Sequence, residues 1–569
     1  MILHLISHAL QRIKGRKILL FILFTLTGLL TLIYALGGFD TYGQRLHAGE
    51  EDNILLFKDL YSQEPWAEVE SNGSEPGQIP YNVHYFWCGQ KLFRFEDYVG
   101  LLSVVRILRP QKIIFHHHHL PYVDKGWYHT WFQELKQSTP NLVLRHTRSP
   151  PECGSPDVLE FVLTQLAEEG GVYVGERTVL THVPGEAWSG DFYYSFRLND
   201  VSHDVTQGII FSKSGFPKDS VKQKLRDIFN SPRKCYLVGE FSTKAADQLI
   251  SALEPCIALW ESLYPKDIWD APSPFSELAR WLYYGTRARL EVKADDSDLI
   301  PMTSHIIWVR TNDWFGTNEF KFLHYLSVIS ALHVAGFQRV YIHGSVRPHG
   351  DWWDRLQGEN VTFIKIEEPE TVFQQRVYGP AHQSDVLRLN TLLKYGGAYQ
   401  DRDVIWVSRI PESLRRYPAV TCPDWPKNGE WPEVFNMGVM MAKKNSDWLK
   451  KFLKTFWYYR DDKWAFNAVF MPYKAYELHP DLLFVDRHLQ VICFEGICHP
   501  AWHKDYIRGI YDTQPVEPFD WRDARAFHFT VPKPPHSLSS PQAMRDGTDM
   551  FSEIGRMVLQ KGGQAGLLS

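Results

Sequence analysis

Asp401-Arg402-Asp403 is the stretch whose residue types and spacing most plainly could do chemistry. In extended backbone, residues i and i+2 point the same way, so Tyr399, Asp401 and Asp403 are expected to share a face. Two carboxylates held together repel unless a cation sits between them. Oxygen ligands select hard ions, which points to Mn²⁺ or Mg²⁺ as the candidate cofactor. Such an ion could carry a diphosphate and neutralise it as a leaving group. The bare acidic-x-acidic pattern is expected by chance about 8 times in a chain of this composition, so its setting has to select it. Asp385 and Arg388 lie one helical turn apart just upstream, and Gly396-Gly397 permits close backbone approach.

The elements that must position these groups can be read around them. Val386, Leu389 and Leu393 fall at i, i+3 and i+7, which predicts a helix over 385–394 with Ser384 as its N-cap and Gly396-Gly397 as its stop. A strand is expected at 398–400. Upstream, an apolar β-rich run at 305–309 is followed by an amphipathic helix over 320–334 and a buried strand at 339–343. Strands alternating with helices predict an α/β fold with a mostly parallel, Rossmann-like sheet, which binds ligands beyond the C-terminal strand ends.

The order Ser384-Asp385-x-x-Arg388, seven residues, Gly396-Gly397-x-Tyr399-x-Asp401-x-Asp403 resembles the DXD sugar-transferase signature. That signature is shared by fungal initiating mannosyltransferases, animal α1,4-galactosyl- and α1,4-N-acetylglucosaminyltransferases, and the glucosylating clostridial toxins. The resemblance implies a GT-A fold, a nucleotide-sugar donor (UDP- or GDP-linked), a divalent ion, usually Mn²⁺, and retention of anomeric configuration. By position it makes Asp403 a metal ligand and places Asp401 on the metal or the ribose. Asp385 and Arg388 would hold donor-sugar hydroxyls and phosphate, with Gly396, Gly397 and Tyr399 belonging to the same donor site.

Trp308 matches the family's early base-stacking Trp, and an aromatic at the end of a first strand is a natural platform; the alternative is a core Trp. The family usually continues x-Gly, where this chain has Val309-Arg310. A late His completes the metal shell in related folds, and His528, the polar outlier in an apolar run, fits that place. His499 and His503 are weaker candidates. Asn436-Met437-Gly438 resembles the family's later acceptor-side or active-site loop, and its alternative is a plain strand turn. Asp461 and Asp462 read as solvated charges.

The sequence also reads as a duplication. Ile79-Pro80-x-x-x-His84-x-x-Trp87 parallels Ile300-Pro301-x-x-x-His305-x-x-Trp308, and three further blocks follow in the same order at offsets of 221 to 228 residues. Two GT-A-like copies are expected, at 79–297 and 298–535, followed by a polar tail at 536–569. In the first copy Gly175 stands for Asp401 and Arg177 for Asp403. Glu160, or a near neighbour across a two-residue insertion, stands for Arg388. A guanidinium cannot ligate a metal, so this copy is expected to be inactive, with Arg177 either binding phosphate itself or merely packing. The four-histidine run His116–His119 lacks a paired carboxylate or Cys and reads as loop or surface.

Ile18–Leu36 is an uncharged run of 19 residues preceded by Arg12, Lys14, Arg16 and Lys17. It is long enough to span a bilayer, against the alternative of a cleaved signal peptide. The expectation is a cytosolic tail at 1–17, a signal-anchor at 18–36, a stem at 37–78 and a luminal remainder in the Golgi. A lumen permits disulfides, and among seven Cys the pairs Cys235/Cys256 and Cys493/Cys498 are close enough in sequence to form them. Asn72 and Asn360 lie in glycosylation acceptor patterns. With 61 basic against 66 acidic residues and 22% charged residues overall, the chain is neither disordered nor a polybasic nucleic-acid binder.

The reading is a sugar transferase acting on a hydroxyl of a glycan or glycolipid. Its rivals are a non-catalytic glycan-binding or assembly partner of a luminal enzyme, and a metal-dependent nucleotide-sugar phosphohydrolase.

Overall fold

The computed structural model describes residues 82–569 apart from 125, 197–206, 213–214, 231–234, 239–254, 310–318, 426–430, 495–496, 503–518 and 531–534. The expected membrane segment, the stem, Asn72 and His503 lie outside the described residues, within which no helix is long and apolar enough to cross a membrane. Asn360 lies exposed at the start of a strand.

Two mixed α/β sheets organise the described chain. The first holds β1 (Asn82–Trp87), β2 (Lys112–His117), β3 (Leu142–His146), β4 (Gly171–Val174), β6 (Phe192–Phe196) and β7 (Gly208–Ser212), in the order β3-β2-β1-β4-β7-β6. Beside it, β5 (Thr178–Leu180), β8 (Tyr236–Val238) and β9 (Cys256–Leu259) form a small sheet. The second main sheet holds β10 (Thr303–Trp308), β11 (Arg339–Gly344), β12 (Val361–Lys365), β15 (Gly397–Gln400), β17 (Ala419–Pro423), β18 (Phe435–Ala442) and β19 (Phe484–Val485), in the order β12-β11-β10-β15-β18-β17-β19. A short hairpin pairs β13 (Thr371–Val372) with β14 (Gln375–Arg376). A side sheet runs β16 (Val404–Trp406), β22 (Ala526–Phe529), β20 (Gln490–Phe494), β21 (Ile497–Pro500). In both main sheets four strands are parallel and the next, β7 or β18, runs antiparallel. The sheets are therefore mixed, with most of their strand pairs parallel as expected.

The repeated Ile-Pro-x-x-x-His has a structural cause. His305 Nδ1 meets His343 Nε2 at 3.0 Å, and its Nε2 meets the carbonyl of Gly396 at 3.0 Å. His84, His116 and the carbonyl of Gly170 repeat this at 3.0 and 3.1 Å. Each pair ties the first two strands to the glycine that ends the following helix. His116 is thus buried in β2, contrary to its expected place in a loop. Burial pushes His305 down to about 3, helped by the adjoining His343 ring, and His343 to about 4, helped by Lys394, and it lowers His116 to about 3 and His84 in the same direction. A depressed histidine favours the fold fully above its unfolded value near 6.5 and loses that contribution as pH falls toward its folded value. Thermal stability is therefore expected to fall between pH 6.5 and 4, at a slope on the order of 1.4 kcal/mol per pH unit per histidine. The slope should flatten in a His84→Asn, His305→Asn variant, measured by calorimetry across that range.

Gly396 and Gly397 have φ of +67° and +100°, and a Cβ would meet the Lys444 amide nitrogen at 2.7 Å or the Thr303 carbonyl at 2.6 Å. Gly396 closes the helix, though in a more extended conformation than the expected left-handed stop. That helix is Pro380–Tyr395, which starts earlier than expected because Pro380 opens it. Ser384 is consequently inside it. Residues 536–569 are not a polar tail. They carry helices Pro541–Asp546 and Met550–Lys561, and Ile554, Val558 and Leu559 are fully buried in the second core. One further core runs from Val83 and Trp87 through Leu389 and Tyr399 to Trp448 and Tyr473, so both main sheets share it.

Candidate active site

The acidic pair sits just beyond the end of β15. Asp401 to Asp403 form a turn, closed by the Val404 amide donating to the Asp401 carbonyl at 3.1 Å, rather than the extended strand expected. The Asp401 amide donates to the Gly438 carbonyl at 2.8 Å, which fixes the turn to β18. Antiparallel pairing of β16 with β22 sets Val404 opposite His528. The outcome is that ligand atoms of Asp401, Asp403 and His528 all lie within 4.8 Å of one another. His528 Nε2 is 3.4 Å from Asp401 Oδ2 and 3.5 Å from Asp403 Oδ1.

The triad is braced from behind. Asp385 and Arg388 are buried on the helix face toward the site and pair at 3.0 Å. Arg388 Nη2 lies 3.5 Å from Asp401 Oδ1, and Nη1 donates to the Met437 carbonyl at 2.8 Å. The guanidinium stacks over the Tyr399 ring at 4.5 Å. The Tyr399 hydroxyl donates to Asp401 and shares a contact of 3.2 Å with Ser384 Oγ. Burial alone would raise Asp401, but Arg388 and then His528 outweigh it and hold the carboxyl down near 2. Burial raises Asp385 to about 6 against the pull of Arg388. His528 would be lowered by burial, yet hydrogen bonds to Asp401 and Asp403 raise it to about 10.

Asn436, Met437 and Gly438 are strand residues of β18, not a loop, and they nonetheless serve the site. Asn436 Oδ1 accepts from the Gly438 amide at 2.8 Å and lies 3.1 Å from His528 Nδ1. That contact fixes the ring and aims Nε2 at the carboxylates. Gly438 leaves room for the ring, since a Cβ there would fall on it. Gly438→Ala is therefore expected to weaken divalent-ion affinity by about 10–100-fold. Titration calorimetry with MnCl₂ checks it.

Several expected site residues lie elsewhere. Gly396 and Gly397 are at the far end of β15, where their open space serves packing against Thr303 and not a ligand. Tyr399 is buried and acts on Asp401. Trp308 is a core residue, with Phe320 and His324 against its ring and Arg402 over its face at 5.5 Å. His499 is buried beside Trp425. Asp461 is no solvated charge. It accepts from the Tyr378 amide at 3.2 Å, pairs with His382 Nδ1 at 3.1 Å and accepts from the Tyr459 hydroxyl. Asp462 is exposed and pairs only with Arg460 among the contacts described.

The corresponding place in the first sheet has different chemistry. Both preceding helices run unbroken to their terminal glycine, whose amide donates to the leucine carbonyl four residues back. Counting from Gly170 and Gly396, Leu159 and Val162 stand where Asp385 and Arg388 stand, with no insertion, which corrects the expected match to Glu160. Thr178 pairs with Ala258 as Val404 pairs with His528, so the triad becomes Gly175, Arg177 and Ala258. Arg177 is engaged with Glu96 at 3.5 Å and with the Trp260 carbonyl at 3.5 Å.

Three disulfides are formed, Cys88–Cys153, Cys235–Cys256 and Cys493–Cys498. The first has no local sequence signal.

Comparison with known proteins places these observations. The chain is 28% identical over 244 residues to Glucan organizing enzyme 1 of Cryptococcus neoformans var. grubii, covering 42% of this chain and 64% of that protein's length. Among solved structures, PaToxG Glycosyltransferase aligns at 21% identity over 32% of this chain and 71% of its own, with a TM-score of 0.24. The galactosyltransferase LgtC with donor and acceptor sugar analogues aligns at 13% identity over 46% of this chain and 95% of its own, with a TM-score of 0.25. Residues 297–420 match the family described as "Glycosyltransferase sugar-binding region containing DXD motif". Asp401 and Asp403 are an acidic pair within that matched stretch.

Proposed function

We propose that this protein transfers a sugar from a nucleotide-diphosphate donor to a glycan or glycolipid hydroxyl, with a divalent ion held by Asp401, Asp403 and His528. The observation that carries it is the convergence of those three side chains from a turn and a separate strand. The donor set fits a hard ion: two carboxylates about a quarter exposed, and an imidazole whose other nitrogen is already fixed. A bound ion, Mn²⁺ or Mg²⁺, would neutralise the diphosphate as it departs. Arg388 keeps Asp401 ionised and aimed, Tyr399 and Asn436 fix the other two contacts, and Asp385 keeps Arg388 in place.

We further infer a GT-A fold in tandem, the first copy inert. The shared strand order, the duplicated histidine pair and the replacement of the triad by Gly175, Arg177 and Ala258 support this. Three disulfides support a luminal site, in keeping with a Golgi signal-anchor at 18–36. Retention of configuration follows the resemblance, and the relative's name points to a glucan as one acceptor to try. The test is incubation of the full-length protein with UDP- and GDP-sugars and oligosaccharide acceptors, with MnCl₂ or EDTA. Acceptor-dependent nucleotide release that needs the metal is expected. Release that ignores the acceptor would make it a phosphohydrolase, and sugar binding without release a binding partner.

A further inference from the structure

The helix that carries Asp385 and Arg388 also carries His382, one turn earlier. His382 is buried, its Nδ1 is held by Asp461 at 3.1 Å, and its Nε2 has no hydrogen-bond partner. The Tyr459 ring meets it edge-on at 5.6 Å, and Trp464 covers it at 5.9 Å. Trp464 is itself 73% exposed, more than any other large hydrophobic side chain among the described residues, and neighbouring Tyr378 is 66% exposed.

Folding alone does not account for this arrangement. A tryptophan left in water gains nothing for the core, and a buried ring nitrogen without a partner is a cost. Both features have a use if a sugar binds there. Pyranose rings present apolar C–H faces to aromatic rings and hydroxyls at their rims. Indole and phenol faces beside a polar nitrogen match an uncharged sugar chain.

We propose that Trp464 and Tyr378 form the platform for pyranose rings of the glycan acceptor, with His382, oriented by Asp461, binding an acceptor hydroxyl through Nε2. This rests on the transferase reading above, and it places the acceptor one helical turn from Asp385. His382 and Asp461 are positioning residues in this scheme.

The test titrates the full-length protein with laminarihexaose, cellohexaose and α1,6-mannohexaose in EDTA, without nucleotide. At least one is expected to bind. Trp464→Ala should weaken that binding at least tenfold, with recovery in Trp464→Phe. His382→Asn, which keeps a donor toward Asp461 but lacks Nε2, should weaken it several-fold. Mn²⁺ affinity should stay unchanged in all three variants. The proposal is overturned if none of the three sugars binds, or if Trp464→Ala binds as the parent does. An effect of Trp464→Ala alone removes His382 from it. Binding of UDP or GDP with Mn²⁺, measured separately, reports on the donor site, so failure there is distinguishable from failure here.

Discussion

Asp403→Asn is expected to lower acceptor-dependent sugar transfer by about 10²–10³-fold, and to leave the melting temperature almost unchanged. The choice of Asp403 over Asp401 is deliberate. Asp401 is also a partner of Arg388 and of the Tyr399 hydroxyl, so its replacement disturbs the buried cluster as well as the ion. Asp403 is about a quarter exposed and meets His528 at 3.5 Å. An amide there is nearly isosteric, but it brings no negative charge to the ion. Loss of rate with an intact fold therefore isolates metal binding. Arg177→Ala in the first sheet is the matching control and should keep most of the activity, because Arg177 faces Glu96 where the second sheet has its triad. Equal losses in both variants would mean that the reaction does not run at Asp403.

The acidic pair was legible in the sequence because its signal is local. Helix, double glycine and carboxylates follow one another within 20 residues, and the hydrophobic period fixes which face each shows. The rest of the site is held together by strand register, which leaves little trace in one sequence. His528 is 125 residues beyond Asp403 and was visible only as a polar outlier in an apolar run. Asn436 reads as loop because Asn and Gly punctuate turns, yet β18 runs through it, paired with β17 at Cys422, and Asn436 turns its amide to the histidine. Gly396 and Gly397 permit close backbone approach, and the structure uses that freedom to pack its own backbone against them. Trp308 carried two readings from sequence, and packing against Phe320 and His324 decided for the core. The helix start was misplaced because Ala381, His382 and Gln383 carry no apolar period, although Pro380 marks a first helical turn. The C-terminal helix had the stripe Ile554, Val558, Leu559, and its partner surface lies far earlier in the chain.

Lys474→Met is expected to cost about 3–5 kcal/mol of stability. Lys474 and Glu477 are fully buried and pair at 3.0 Å, one turn apart on the helix Met471–Leu478. Their other contacts reach the first half of the chain. Lys474 Nζ donates to the Tyr128 carbonyl at 3.1 Å and lies over the rings of Tyr128 and Trp131 at 4.6 and 4.8 Å. The Tyr128 hydroxyl donates to Glu477 Oε2 at 2.7 Å, and the Tyr284 hydroxyl donates to the Glu477 carbonyl at 2.7 Å. Removing the ammonium leaves a carboxylate in an aromatic interior with one neutral hydroxyl, that of Tyr128, bonded to it. Removing both charges does not. Lys474→Met with Glu477→Leu should therefore recover much of the loss, since apolar replacements of a buried pair are often neutral. Urea denaturation of the two variants checks this. The split also bears on the first half of the chain, which has Gly175, Arg177 and Ala258 at the corresponding place and supplies Tyr128, Trp131 and Tyr284 to this contact. If the single variant lowers transfer in proportion to its unfolded fraction alone, the first half serves as a scaffold. A loss of transfer in protein that remains folded would make the contact between the halves part of how the acidic site is held open to its substrates.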